Sequence, residues 1–304
     1  MSYHPLNVLE EAEGQRLKEP HGLTIDKRNG NLLVSDTGNQ RIIVFDESGK
    51  FIQQFGKKGD GPGEFSHPMD VAVGPDGSIY VSDYFQDRIQ KFTSDGNYIL
   101  EWGTPGEGKT QFNAPTGLAV DRAGNVYVAD FYNSVIKVFS AEGQFLRTIG
   151  SAGQFGPGKL DYPTDVNVNT DGSVLVADTY NYRIQRFNLS GSSAWGWHLL
   201  WFFPRPGGAT QGFKEPTGTT FGPNGVIHVA DGGNHRVVTL DSSGAFMGDW
   251  PLPDIDLEKD AQTYNSPVAV AAKPDGTAIY VADIVNSRII ILGIEYEGYP
   301  LSKR

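Results

Sequence analysis

Few side chains in this sequence are placed for chemistry. His21 lies in "PHGLTID", directly after a proline and just before an apolar run. Asp70 in "HPMDVAV" and Asp165 in "YPTDVNV" each follow a proline by two residues. An imidazole and two carboxylates in equivalent settings suit general acid–base work, provided their surroundings push the carboxyl pKa values apart. The same trio could hold a divalent ion, with His21 as the metal candidate and Asp70 or Asp165 beside it. One histidine and no thiol fall short of a tight zinc site. No cofactor is expected, and a weakly bound divalent metal is the most the set allows. Cysteine is absent, which removes disulfides, thiolate metal centres and cysteine nucleophiles. No glycine-rich phosphate loop opens a helix, and no nucleophile elbow is present. The acidic run "PDIDLEKD" at 253–260 lacks the glycine and closing glutamate of a calcium loop and reads as solvated.

The elements that position these residues come from a repeat. An aromatic or leucine residue stands three before a proline in "LKEP", "FSHP", "FNAP", "LDYP", "FKEP" and "YNSP", ending at Pro20, Pro68, Pro115, Pro163, Pro216 and Pro267. After each proline come a short apolar strand, a glycine-containing turn, and a second strand ending in Asp36, Asp83, Asp130, Asp178, Asp231 or Asp283. A hairpin follows, usually with Asn and then Arg, and two further strands complete the unit. Turns such as "PDGS", "RNGN" and "SDGN" mark antiparallel hairpins. A lone four-stranded meander cannot bury both faces, whereas six around an axis can. The expectation is one all-β domain over 1–304, a six-bladed propeller. Residues 1–13 are expected to complete blade 6, with "YHPLNVLEE" as its outer strand, which removes an exposed edge.

This spacing puts the residues after each proline and those after each hairpin aspartate on one face, called the top. A residue type shared by all blades serves the ring: the hairpin Asp is expected to accept backbone N–H bonds and to pair with the Arg five residues on. Blade 3 departs with Val135 for Arg and blade 2 with Gln86 for Asn. His228 fills a slot held elsewhere by Leu or Tyr and reads as packed, and Trp102 and Trp250 share a core slot. Specificity belongs to positions that vary. Tyr84, Phe85, Phe131, Tyr132, Tyr180 and Tyr182 crowd the hairpins of blades 2, 3 and 4, forming an aromatic arc with large contact area and polar tips. Thr116, Thr164 and Thr217 occupy the slot of His21 in blades 3, 4 and 5. The long segments 204–215 and 251–266 could form a lid, with Arg205 meeting an anionic group. The aromatics of 195–203 read as an enlarged outer strand of blade 4, with some surface left for contact.

The repeat resembles the NHL family across essentially the whole chain. Locally, "PHGLTID" and "HPMDVAVGPDGSIYVSD" are similar to blades of the peptidyl-hydroxyglycine amidating lyase. That resemblance implies a zinc held by three histidines that follow the blade prolines. Here only His21 matches, with Thr116 and Val268 or Thr217 at the other slots. The lyase's tyrosine slot falls at Tyr84 or Phe85 and its arginine slot at Phe131. Two functions follow. One is a non-catalytic propeller whose top face binds a small molecule, peptide or protein. The other is an enzyme, a lyase, hydrolase or cyclase, with His21, Asp70 and Asp165 at the channel mouth.

Composition narrows the partners. The 304 residues carry a net charge of −11, with a pI near 5.0 and a mean hydropathy of −0.34. An acidic chain without a Lys/Arg cluster is ill suited to nucleic acid. No apolar run is long enough for a membrane helix. No signal peptide is visible in "MSYHPLNVLEEAEG", which favours a cytoplasmic location.

Overall fold

A computed structural model describes residues 2–188, 191–198, 212–252 and 266–295. Six four-stranded antiparallel sheets follow one another along the chain. Their inner strands are Pro20–Ile25, Pro68–Val73, Pro115–Val120, Pro163–Val168, Pro216–Phe221 and Pro267–Ala272. The second strands, such as "IYVSD" and "VYVAD", are buried at every position. They read as continuous apolar runs because a neighbouring blade covers each face. Outer strands such as Phe51–Phe55 alternate half-buried with exposed residues, the period of a strand packed on one side only.

Six apolar clusters fill the junctions between blades. One joins Leu33, Ile42 and Val44 of blade 1 to Val71, Val81 and Phe92 of blade 2; another joins Val34 and Phe45 of blade 1 to Tyr280 and Ile289 of blade 6. The ring closes as expected. Ser2–Leu9 is the outer strand of blade 6 and pairs antiparallel with Arg288–Glu295, from Ser2 opposite Glu295 to Leu9 opposite Ile289. His228 is fully buried, and its Nδ1 meets Thr239 Oγ1 at 2.9 Å and Tyr3 Oη at 3.2 Å. Trp102 and Trp250 are half-buried rather than wholly enclosed, packing against the clusters of neighbouring blades.

The repeated aspartates hold the blade tops. Asp36, Asp83, Asp130, Asp178, Asp231 and Asp283 are fully buried. Each accepts a backbone N–H from the segment entering its own blade, such as Lys18 N–H to Asp36 at 2.7 Å and Asp161 N–H to Asp178 at 2.7 Å. The hairpin Asn donates to the same carboxylate, as Asn39 does to Asp36. In blade 2, Gln86 turns instead to Gly59 O and Asp60. Arg41, Arg183, Arg236 and Arg288 pair with their aspartates at 2.6–2.9 Å. Arg88 does not: its guanidinium pairs with Glu101. Where blade 3 has Val135, the cation comes from two residues further on, with Lys137 Nζ 2.7 Å from Asp130. The last residue of each hairpin, Gln40, Asp87, Ser134, Tyr182, His235 or Ser287, has φ between 50° and 56°. Tyr182 therefore sits at a left-handed turn position that every blade uses.

Lys137 is almost wholly buried against Asp130. Removing one partner of a buried pair leaves an uncompensated charge and costs about 3–5 kcal/mol. Lys137→Met should lower stability by that order in urea unfolding. Adding Val135→Arg, which restores the cation from the usual slot, should recover most of the loss.

Candidate functional site

The inner strands enclose a central cavity of about 630 Å³. His21, Met69, Thr116, Thr164, Thr217 and Val268 line its top end, with Asp70 and Asp165 just below. The sequence thus brings the candidate acid–base residues to one channel. Among the described residues no hydrogen bond joins His21 to either carboxylate.

The wall alternates around the axis. Blades 1, 3 and 5 carry Gly22, Gly117 and Gly218, and blades 2, 4 and 6 carry Asp70, Asp165 and Ala269. A Cβ on Gly22 would stand 2.3 Å from Asp70 Oδ1, and one on Gly117 would stand 2.5 Å from the Asp165 Cα. The glycines are there because the next blade's residue occupies that space. Each aspartate reaches on to the following blade. Asp70 accepts Val71 N–H at 2.8 Å and Leu118 N–H at 2.7 Å. Asp165 accepts Thr219 N–H at 2.6 Å and the Thr219 hydroxyl at 2.9 Å, with Val166 N–H in support. Both carboxylates therefore tie blades together, a role their sequence context did not reveal. Burial pushes Asp165 up to about 6. Burial also pushes Asp70 well above the usual carboxylate range, and the facing charge of Asp165 adds to the effect.

The threonines are similarly committed. Thr116 Oγ1 donates to Pro163 O at 3.3 Å, Thr164 Oγ1 to Thr217 O at 3.0 Å, and Thr217 Oγ1 to Pro267 O at 3.1 Å. Their hydroxyls hold neighbouring inner strands, so what they offer a ligand is their methyl surface. His21 Nδ1 donates to Glu19 O at 3.1 Å. Burial lowers its pKa to about 4, so the ring is neutral at pH 7 and Nε2 carries a free lone pair. Among the described residues no three His, Asp or Glu side chains converge to hold a metal ion. With Asp70 and Asp165 engaged by N–H groups, the residues present do not fit a three-histidine zinc site.

Above the channel the aromatic arc is longer than the hairpins alone suggest. His21 meets His67 at 5.8 Å between ring centres, and His67 meets Phe85 at 4.8 Å and Tyr84 at 5.9 Å. Tyr84 stands 6.4 Å from Phe131, and Tyr84 Oη lies 3.3 Å from Tyr132 Oη. Tyr162 completes the belt, 5.1 Å from Phe131 and 4.9 Å from Tyr180. His67 and Tyr162 went unread in the sequence. They precede the blade prolines, in a slot held otherwise by Glu19, Ala114, Glu215 and Ser266. The same comparison across blades that exposed Asp70 would have found them. Arg205, the acidic run 253–260, residues 199–203 and most of both long segments lie outside the described residues.

The sequence signature described as a 6-bladed beta-propeller matches residues 9–117, and that of the NHL repeat matches 112–139, 160–187 and 213–240. The chain is therefore a six-bladed β-propeller that carries NHL repeats. It is similar to the E3 ubiquitin-protein ligase NHLRC1 of Rattus norvegicus, 39% identical over 57 residues, which are 19% of this chain and 14% of the ligase. It is also similar to Protein brain tumor of Drosophila melanogaster, 41% identical over 61 residues, 20% of this chain and 6% of that protein. The matched stretch is a small part of either relative. Among solved structures, a streptogramin B lyase superposes with a TM-score of 0.65 at 15% identity, covering 96% of this chain and 98% of the lyase. A gluconolactonase of Xanthomonas campestris superposes with a TM-score of 0.67 at 14% identity, covering 94% and 88%. At such identity the likeness is one of fold.

The pH dependence of stability follows from Asp165. A carboxyl raised from 3.8 to about 6 holds its proton more tightly folded than unfolded. Its contribution is complete below about pH 4 and is lost as the pH rises through about 6. Asp165→Asn keeps an acceptor for Thr219 N–H and cannot ionise. Relative to wild type it should gain stability between pH 4 and pH 8, by up to about 3 kcal/mol, in denaturant unfolding at a series of pH values.

Proposed function

We propose that this propeller is a binding module whose top face takes a polypeptide partner on the aromatic belt. The observation that carries this is the unbroken run of rings from His21 to Tyr180, with Phe85, Tyr132 and Tyr180 at 67%, 51% and 52% exposure. Contiguous exposed aromatics are uncommon on a surface with no partner. Rigid rings of this kind dominate the energetics of interfaces. The repeats shared with a ubiquitin-protein ligase, an enzyme class that acts on proteins, agree with a protein partner. Half-buried Tyr84 and Phe131 support the exposed rings from below, and Tyr182 extends the rim of blade 4.

The test is selection of binding peptides from a displayed library with the wild-type protein. The triple variant Phe85→Ala/Tyr132→Ala/Tyr180→Ala should lose at least about tenfold in affinity for them at an unchanged unfolding midpoint, since none of the three is in the core. Undiminished binding would place the contact elsewhere.

A second reading is an acid–base enzyme working in the channel. It is favoured by Asp70 and Asp165, carboxyls held toward the protonated form beside neutral His21. Its measure is turnover of a lactone and cyclic-ester panel, falling by about 100-fold or more in Asp70→Asn. A panel without turnover removes this reading and leaves the first intact.

A further inference from the structure

The junction between blade 6 and blade 1 differs from the other five at the channel wall. Elsewhere a hydroxyl or a carboxylate of one blade reaches the inner strand of the next: Thr37 Oγ1 to Pro68 O at 2.6 Å, Ser82 Oγ to Thr116 O at 2.6 Å, and Thr179 Oγ1 to Pro216 O at 2.8 Å, besides those already described. At the sixth junction blade 6 presents Val268 and Ala269, which have no polar side-chain atom. Blade 6 pairs Val270 with Val281, as blade 4 pairs Val166 with Val176; blade 1 pairs Leu23 with Val34, as blade 3 pairs Leu118 with Val128. The register is the same throughout. The N–H groups of Val270 and Leu23 therefore face the channel as those of Val166 and Leu118 do. Among the described residues no side chain accepts from either.

We propose that the Leu23–Val270 junction is a carboxylate-binding site, in which a ligand carboxylate occupies the place that the Asp70 and Asp165 carboxylates occupy at equivalent junctions. The molecule itself provides the template twice. Two backbone N–H groups from consecutive blades hold a carboxylate at Asp70, and they do so again at Asp165 with a hydroxyl added. Charge-assisted bonds of this kind are the strong ones. Ala269 leaves the position open to a ligand, and the cavity reaches it. The junction uses backbone N–H groups of Leu23 and Val270 and none of the rings of the belt, whose blade 1 member is His21, so its test does not depend on the polypeptide-binding reading. The carboxylate has two sources, a small organic acid or the C-terminus of a peptide.

The experiment is a titration of the 15N-labelled protein with sodium phenylacetate, and separately with Gly-Gly-Phe as free acid, against sodium chloride of equal ionic strength. The expected result is saturable shifts of the Leu23 and Val270 amides with at least one of the two acids. None is expected with phenylacetamide or the amidated peptide. Whichever acid binds names the source. Ala269→Asp puts a tethered carboxylate in the same place, and Gly218 leaves room for it as Gly22 does for Asp70. A Cβ on Gly218 would stand 2.7 Å from the Ala269 Cα, the close approach seen at the other two glycines. This variant should weaken the acid at least tenfold. Amides that stay still with both acids, or that move equally with the amides, overturn the proposal in the wild-type protein alone; undiminished binding by Ala269→Asp does so as well.

Discussion

The inner strand of every blade has one edge that no other strand can reach. Six such edges face a common axis, and each carries backbone N–H and C=O groups that need partners. The molecule meets this need from the side. Hydroxyls one residue after the proline or at the hairpins reach the carbonyl of the next blade, and aspartates two residues after the proline reach its N–H. These bonds join blades 1 to 6 in succession, so the polar groups that would destabilise a buried edge become the links between blades at every junction but that of blade 6 with blade 1. The glycines of blades 1, 3 and 5 follow from the same close approach, because a side chain there would collide with Asp70, Asp165 or Ala269 of the next blade.

That arrangement changes how the channel carboxylates are understood. A pair of aspartates in a cavity suggests catalysis, and their burial does favour protonation. Yet both carboxylates accept backbone N–H groups of their own and the following blade, and the alternation with glycine shows a place prepared for the whole side chain. The aromatic belt has no such obligation to the ring. Its rings touch one another rather than bridging the inner strands, and several are half open to water. The blade tops thus separate two duties: the axis holds the wheel, and the rim of blades 1 to 4 offers surface.

Much of the architecture was legible because the repeat is written six times. Proline spacing, strands ending in Asp and the Asp-Arg interval located every blade, and counting strands placed residues 1–13 in blade 6, where Ser2–Leu9 pairs while Glu11–Ala12 turns aside to pair with Gln15–Arg16. What was not legible depends on side chains meeting across register. Val135 looked like a lost ion pair, but Lys137, on the same strand and the same side, reaches Asp130. Arg88 matched the pattern and yet turns to Glu101, whereas Arg236, with Asp249 at the same slot, bonds both that acid and its hairpin aspartate. Asp70 and Asp165 were rightly singled out as departures, while their bonds to Leu118 and Thr219 span about fifty residues of sequence and leave no local trace. His67 and Tyr162 were hidden by the proline beside them, which drew attention to the strand that follows.

The pairing of Ser2–Leu9 with Arg288–Glu295 has a temporal side. Every other blade is assembled from a continuous stretch of chain and can form as soon as that stretch exists. Blade 6 brings together segments separated by almost the entire sequence, a contact of the kind that slows folding. During synthesis the opening strand must wait, unpaired, until the last inner and middle strands emerge. Its composition suits the delay: "SYHPLNVL" carries a proline and the polar Ser2, His4 and Asn7 among its apolar residues, a poor template for pairing with another copy. The ring is a clasp fastened last, by a strand that has to remain unfastened until then.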